Sequence, residues 1–181
     1  MKCAIHQPNL ASWFPFFWKM HHSDIFVVMI NCQFEKNGYQ NRANVGDKWW
    51  TVPVTSGNVD IKDKKYCNGA GLVDSNMHLI LGWAKILGID TGKVHFDFPT
   101  EKKGTDRLIE ICKRFECDEY LTNSDSTDKY LDEKKMNDSY IEVVKFDIPK
   151  QFKKSIYELF DEMGIDGVQK IIKKEFIKCR A

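Results

Sequence analysis

The sequence predicts an α/β fold, a layered sandwich with a mostly parallel central sheet flanked by helices. Three observations carry this. Segments of strand and helix character alternate along the chain, the pattern of layered α/β architectures. The run Ile25-Phe26-Val27-Val28-Met29-Ile30 is apolar on both faces, as a central parallel strand covered on both sides should be. Strand, helix and strand character also fall within the first thirty residues, which reads as a βαβ unit.

Each element has its own warrant. Cys3-Ala4-Ile5 reads as a short buried strand that ends at His6-Gln7-Pro8-Asn9, where proline stops regular pairing. Trp13 to His22 is aromatic-rich and reads as a helix, with Pro15 in its first turn. Asp24 to Ile30 is the second strand. Gln33 to Arg42 is polar and rich in amides, a loop or a solvated hairpin turning at Gly38. Trp49 to Val54 is a further strand, set near an edge or an end by Pro53. Ser56 to Gly71 is polar, carries three glycines and reads as a loop. Ser75 to Leu87 is a helix with Met77, Ile80, Leu81, Ala84 and Leu87 in a stripe and Gly88 as its stop. Lys93 to Phe98 alternates as a half-buried strand, and Thr105 to Phe115 forms an amphipathic helix. Glu119 to Thr122 and Tyr140 to Phe146 are strands. Ser155 to Met163 and Gly167 to Ile177 are amphipathic helices with a Lys-rich outer face. There is no internal repeat.

The 181 residues suit one domain, with a helical C-terminal segment from about residue 153. A composition of 43% hydrophobic and 29% charged residues is that of a globular chain rather than a disordered one. The formal charge is +1, from 27 basic and 26 acidic residues. Such balance gives no reason to expect nucleic acid or an anionic membrane as a partner. The Lys-rich stretch from Lys150 to Arg180 is the one local exception. The six cysteines form no CxxC pair and no zinc spacing, and read as reduced thiols. No signal peptide is expected, because polar residues interrupt the N-terminus before a long apolar run develops. The longest apolar run is too short to span a bilayer. Together these readings place the chain in the cytoplasm.

In layered α/β folds the ligand lies beyond the carboxyl ends of the parallel strands. If the strands ending near Ile5 and Ile30 are neighbours, the loops that follow open on one edge. His6 offers an imidazole able to take a proton near neutral pH, and Gln7 and Asn9 offer amides to orient a polar substrate. Gln33, Glu35, Lys36, Gln40, Asn41 and Arg42 add amides, a carboxylate and two cations. Arg42 suits a bidentate phosphate or carboxylate, and Lys36 a point-charge contact. Against this stands a plainer reading, in which both loops are knitted by their own side chain to backbone hydrogen bonds. Trp13 and its aromatic neighbours offer a wall for a sugar ring, although core packing accounts for most of them. Cys3 and Cys32 are expected to be buried rather than nucleophilic. No metal is expected at His21-His22, whose side chains diverge on a helix, nor at His78 or His95. No glycine-rich fingerprint follows the first strand, and no cofactor is expected.

The segments Ala4-Ile5-His6-Gln7-Pro8-Asn9, Trp13 and Phe17, Ser23-Asp24-Ile25-Phe26-Val27, Gln33 to Asn37, Gln40-Asn41-Arg42 and Trp50-Thr51-Val52-Pro53-Val54, in that order, resemble the WbqC-like family. A looser match continues through Leu87-Gly88-Ile89, Ile111-Cys112-Lys113, Tyr120-Leu121 and Tyr130-Leu131-Asp132. The resemblance implies a cytoplasmic protein of surface-polysaccharide, O-antigen-type, biosynthesis. It implies transfer of an acyl or amino-acyl group to a sugar-nucleotide acceptor, with His6 as general base if the chain is an enzyme. The implied partner is a small molecule, a nucleotide-linked sugar or an acyl donor, and a homo-oligomer stays open. The chain departs from the family pattern in a shortened stretch between Val54 and Leu79. It also carries Asn123-Ser124-Asp125-Ser126-Thr127 where the family has a glycine-containing loop, so no phosphate cradle is expected there. The alternative is a non-catalytic binding or accessory protein of the same pathway.

Overall fold

The computed structural model describes residues 1–46, 48–57, 59–124 and 131–177. Their centre is a five-stranded sheet of β1 (Lys2–His6), β2 (Ile25–Val28), β5 (Val94–Phe96), β6 (Glu119–Asn123) and β7 (Glu142–Phe146). The strands run parallel in the order β5-β2-β1-β6-β7. β1 is central, with Cys3, Ala4 and Ile5 almost wholly buried, and it pairs with β2 from Cys3↔Ile25 to His6↔Val28. Phe26, Val27 and Val28 are all 0% exposed, which explains why β2 is apolar at every position rather than at alternate ones.

The pleat sends successive side chains to opposite faces, and each face has its own core. Ala4, Phe26, Val28 and Leu121 pack with α1 (Phe14–His21), α2 (Leu72–Ile86) and α5 (Ile156–Ile172). Cys3, Ile5, Val27 and Tyr120 pack with α3 (Gly104–Arg114) and with Met136 of α4 (Glu133–Asp138). The result is the expected helix–sheet–helix sandwich.

Helix boundaries follow local chemistry. α1 has Pro15 in its first turn and buries Phe14, Phe16, Phe17, Trp18 and Met20. α2 begins at Leu72, three residues before the expected Ser75, and its buried stripe is Leu72, Val73, Asn76, Met77, Ile80 and Ala84. It ends as expected at Gly88, whose φ is +70°. There the Gly88 N–H donates to the Lys85 carbonyl (3.1 Å) and the Ile89 N–H to that of Ala84 (2.9 Å), the double closure that a glycine at this position permits. The two expected C-terminal helices are both present as the two halves of α5, separated by a kink at Gly164, which is non-helical at φ 67°, ψ 177°. The second half ends at Ile172, short of the expected Ile177, because Ile177 turns back to bridge Phe146. A capping box on Ser155 and Glu158 starts the element. α4 was not expected; the Asp132 side chain caps it by accepting from the Lys135 N–H at 3.0 Å.

The hairpin lies elsewhere than expected. Gly38 does sit in a turn, its N–H donating to the Glu35 carbonyl at 3.0 Å. The paired strands, however, are β3 (Arg42–Val45) and β4 (Lys48–Thr51), with Gly46 (φ +62°) at the turn. The Trp49–Val54 strand is therefore half of a separate two-stranded ribbon, and Pro53 lies beyond its end. Tyr130 of the Tyr-Leu-Asp motif, residues 125–127 of the replaced glycine loop, and Cys179 fall outside the described residues. No helix among the described residues is long and apolar enough to cross a membrane.

Candidate functional site at the carboxyl edge of the sheet

Taken in chain order, the sheet runs third, second, first, fourth, fifth, so connections leave β1 to one side for β2 and β5, and to the other for β6 and β7. The chain reverses direction between β1 and β6, and a crevice is expected over their carboxyl ends. A cavity of about 890 Å³ lies there, lined by Ile5 and His6 of β1 and by Tyr120, Thr122 and Asn123 of β6. Gln7, Asn9, Trp13, Lys19, Glu35 and Tyr39 line it from one side, and Arg107 from α3 on the other.

His6 is the last residue of β1 and is half-buried. Its Nδ1 lies 2.9 Å from the Gln7 carbonyl oxygen. A carbonyl only accepts, so Nδ1 carries the proton and a neutral ring presents Nε2 as a lone pair. The Phe16 ring stands edge-on to the imidazole at 4.9 Å. Burial, and then the charge of Lys19, push the His6 pKa down to about 3. The ring is therefore neutral at physiological pH.

The loops after β1 and β2 are fastened to each other, as the site requires. Gln40, 0% exposed, donates from Nε2 to the Gln7 Oε1 at 3.0 Å, and its Oε1 accepts from the Glu35 N–H at 2.8 Å. Beneath them Asn76 of α2, also fully buried, donates to the carbonyls of Pro8 (2.8 Å) and Gln40 (2.7 Å) and accepts from the Tyr66 hydroxyl (2.7 Å). The Leu10 N–H adds a bond to the Tyr39 carbonyl at 3.0 Å.

A second lock holds the other side of the loop after β2. The Asp97 side chain is wholly buried and accepts from the N–H groups of Ile30 (2.8 Å) and Asn31 (3.0 Å) and from the Asn31 amide (3.0 Å). Arg107 closes the set, pairing with Asp97 and donating to the Asn31 carbonyl at 2.8 Å. Asn76, Asp97 and Arg107 were not foreseen. Asn76 left a trace, being an amide on an otherwise apolar helix stripe.

Of the residues singled out from sequence, His6, Gln7, Asn9, Trp13 and Glu35 line the cavity. Gln33, Lys36, Gln40, Asn41 and Arg42 do not. Gln33 and Lys36 are exposed. Gln40 acts from beneath, and the Asn41 amide donates to the Val52 carbonyl at 2.9 Å, holding the base of the hairpin. The Arg42 guanidinium lies over the Trp49 ring, 4.3 Å from its centroid, and donates to the Asn37 carbonyl. Those contacts direct it along the hairpin. From the mouth of the cavity an aromatic file leads outward, Trp13 to Tyr39 at 5.8 Å and Tyr39 to Trp49 at 5.7 Å.

Neither thiol weighed as a nucleophile is placed to act in the cavity. Cys32 does not line the cavity, and burial pushes its pKa up to about 11. Cys3 points to the opposite face of the sheet, and its pKa is raised by the neighbouring Cys112 and Cys117 and by burial. His22 donates from Nε2 to the Ile172 carbonyl at 2.8 Å and stacks on Trp18 at 4.1 Å, a packing role. No group of three His, Cys, Asp or Glu side chains fit for a metal occurs among the described residues.

Sequence reasoning passed over several lining residues, Lys19 and Arg107 among them. Lys19 sits in α1, is 7% exposed, and its Nζ donates to the Ile5 carbonyl at 2.8 Å. Burial lowers its pKa to about 8. Its signal was available: it is the one charged residue in the run from Trp13 to Met20, and a helix apolar all round leaves it no polar face.

Fold and cavity together define a doubly wound α/β protein with a ligand-sized crevice at the reversal of strand order. Residues 7–70 and 65–163 match the model of the WbqC-like protein family, and the chain belongs to that family. No curated protein and no solved structure matches it.

Proposed function

We propose that the chain is a transferase of surface-polysaccharide, O-antigen-type, biosynthesis, moving an acyl or amino-acyl group onto an amino sugar carried by a nucleotide. Membership of the WbqC-like family supports the pathway. A cavity of about 890 Å³ is of the size that takes a small-molecule ligand. The aromatic file at its mouth suits the face of a sugar ring.

The observation that carries the reading is His6. Its ring ends the central strand, its Nδ1–H is tied to the Gln7 carbonyl, and its Nε2 is left as the acceptor. In the proposed reaction the sugar amine or hydroxyl attacks the acyl carbonyl, Nε2 takes the proton that the nucleophile loses, and that proton passes to the departing group. Gln7 and Asn9 position the acceptor. The Gln40 bond holds the Gln7 amide in one orientation.

Turnover of acyl donors with nucleotide-linked amino sugars tests this. His6→Ala is expected to lower kcat by roughly 10²-fold, the low end for a general base because the imidazole is a weak one. Equal rates in wild type and variant would reject the base role. The same weakness favours a second reading, a non-catalytic binder of the same ligands. That reading expects stabilisation of about 2.7 kcal/mol at ligand a hundredfold above Kd, without turnover.

A further inference from the structure

We propose that Lys19 receives an oxyanion of the substrate, a phosphate or a carboxylate, inside the cavity beside His6. The proposal rests on the reading of this cavity as the substrate site, and moves anion recognition there from Lys36 and Arg42.

The argument begins with what the ammonium lacks. Lys19 is 7% exposed, and among the described residues it has one hydrogen bond, to the Ile5 carbonyl, and no ion pair. A buried charge without a counterion is costly, and an ammonium has three protons to donate. The other cations around the cavity are already matched. Arg107 is paired with Asp97, and Lys153 lies 3.3 Å from an Asp147 carboxylate oxygen. Glu35, the lining carboxylate, is exposed on the loop after β2 and makes no ion pair with Lys19. Arg107 adds a second unmet donor, a buried Nε without a partner. An oxyanion entering this cavity meets a desolvated cation that has nothing else to neutralise it, where a charge-assisted bond is strongest.

The consequence for His6 links recognition to reaction. The Lys19 charge is the second cause, after burial, of the low His6 pKa. An anion seated on Lys19 offsets that charge and makes Nε2 a better base when substrate is present. After burial, Cys3 acts on Lys19, and Lys19 and then the Gln7 carbonyl act on His6; the other charged groups that face them across the cavity are Glu35, Arg107 and Lys153.

Two measurements test this with inorganic pyrophosphate and with acetate as separate probes. The first follows the Lys19 ammonium by NMR in the isotope-labelled wild-type protein. A rise of its titration midpoint of at least about one pH unit with pyrophosphate supports a phosphate as the partner, and with acetate a carboxylate. The second is calorimetric titration of Lys19→Met, which replaces the ammonium by an apolar chain. Its affinity for the active probe should fall at least about tenfold, while Lys36→Met keeps the wild-type value. A Lys19 midpoint moved by neither probe, or a folded Lys19→Met that binds as tightly as wild type, overturns the proposal. Loss of turnover in His6→Ala with unchanged KM and kcat in Lys19→Met removes this inference and leaves the transferase reading standing. Lys19 responding to pyrophosphate in a protein without turnover does the reverse.

Discussion

At the scale of the residue, the half-buried His6 and the buried Lys19 are two bases that line the cavity, and their titrations make the proposed chemistry testable. His6 has a folded pKa of about 3 against an ordinary 6.5. Between those values the unfolded chain holds a proton that the fold refuses. Stability is therefore intact above pH 6.5 and falls as the pH drops toward 3, by about 1 kcal/mol per pH unit. His6→Gln should remove this contribution. Urea unfolding of the two proteins should give curves that diverge steadily below pH 6.5; parallel curves would show that the ring titrates normally. Lys19 has the opposite window, with a folded pKa of about 8 against 10.5. Its cost is fully present below pH 8 and relieved as the pH rises through 10.5. Lys19→Met should be more stable than wild type at pH 7, by roughly 1–4 kcal/mol, and the gain should shrink above pH 8. Sequence made His6 legible because an imidazole after a short apolar strand stands out. Lys19 was hidden by its neighbours, since an aromatic helix draws attention to its rings. Arg42 misled for a physical reason: a guanidinium matches a phosphate and a tryptophan face equally well, and only the fold shows which is near.

At the scale of the element, the loops that build the cavity are held from below. Asn76 is the pin between them, reaching Pro8, Gln40 and the Tyr66 hydroxyl from within α2. Asn76→Ala leaves three buried polar groups without that partner and should cost about 3 kcal/mol or more in unfolding free energy. It should also raise the KM for any cavity ligand, because the two loops lose their common anchor. A variant as stable as wild type would mean that the loops are fixed by other contacts. In α5 the break at Gly164 has a backbone cause. Its φ 67°, ψ 177° is a conformation open almost only to glycine, and an added Cβ would meet nothing within 4 Å. Gly164→Ala should therefore cost about 1–3 kcal/mol through the backbone alone. Continuous apolarity marked β2 and a stop glycine marked the end of α2, so these were readable. The β3–β4 ribbon was readable only in part: a strand was expected from Trp49, but its pairing with β3 was not, because β4 is exposed at every position and carries no alternation to fix its register.

At the scale of the whole molecule, what places the site is the order of strands. Alternating elements implied a mostly parallel sheet, and the pairing of β1 with β2 was anticipated. The pairing of β1 with β6, which supplies the other wall of the cavity, joins segments more than a hundred residues apart, and no local pattern encodes it. We infer that the chain forms one cooperative unit. Its two cores share the central sheet, so heat should unfold both in one transition, followed together by near-UV and far-UV circular dichroism. The central claim is that ligand binds at the reversal of strand order, between His6, Lys19 and the end of β6. A crystal structure with a nucleotide-linked amino sugar tests it most directly. It should show the ligand over the carboxyl ends of β1 and β6, with an anionic group at Lys19 and the acceptor atom facing Nε2 of His6. Ligand seated instead in the shallower hollow between Leu10, Tyr66 and His78, with the cavity empty, would contradict the account.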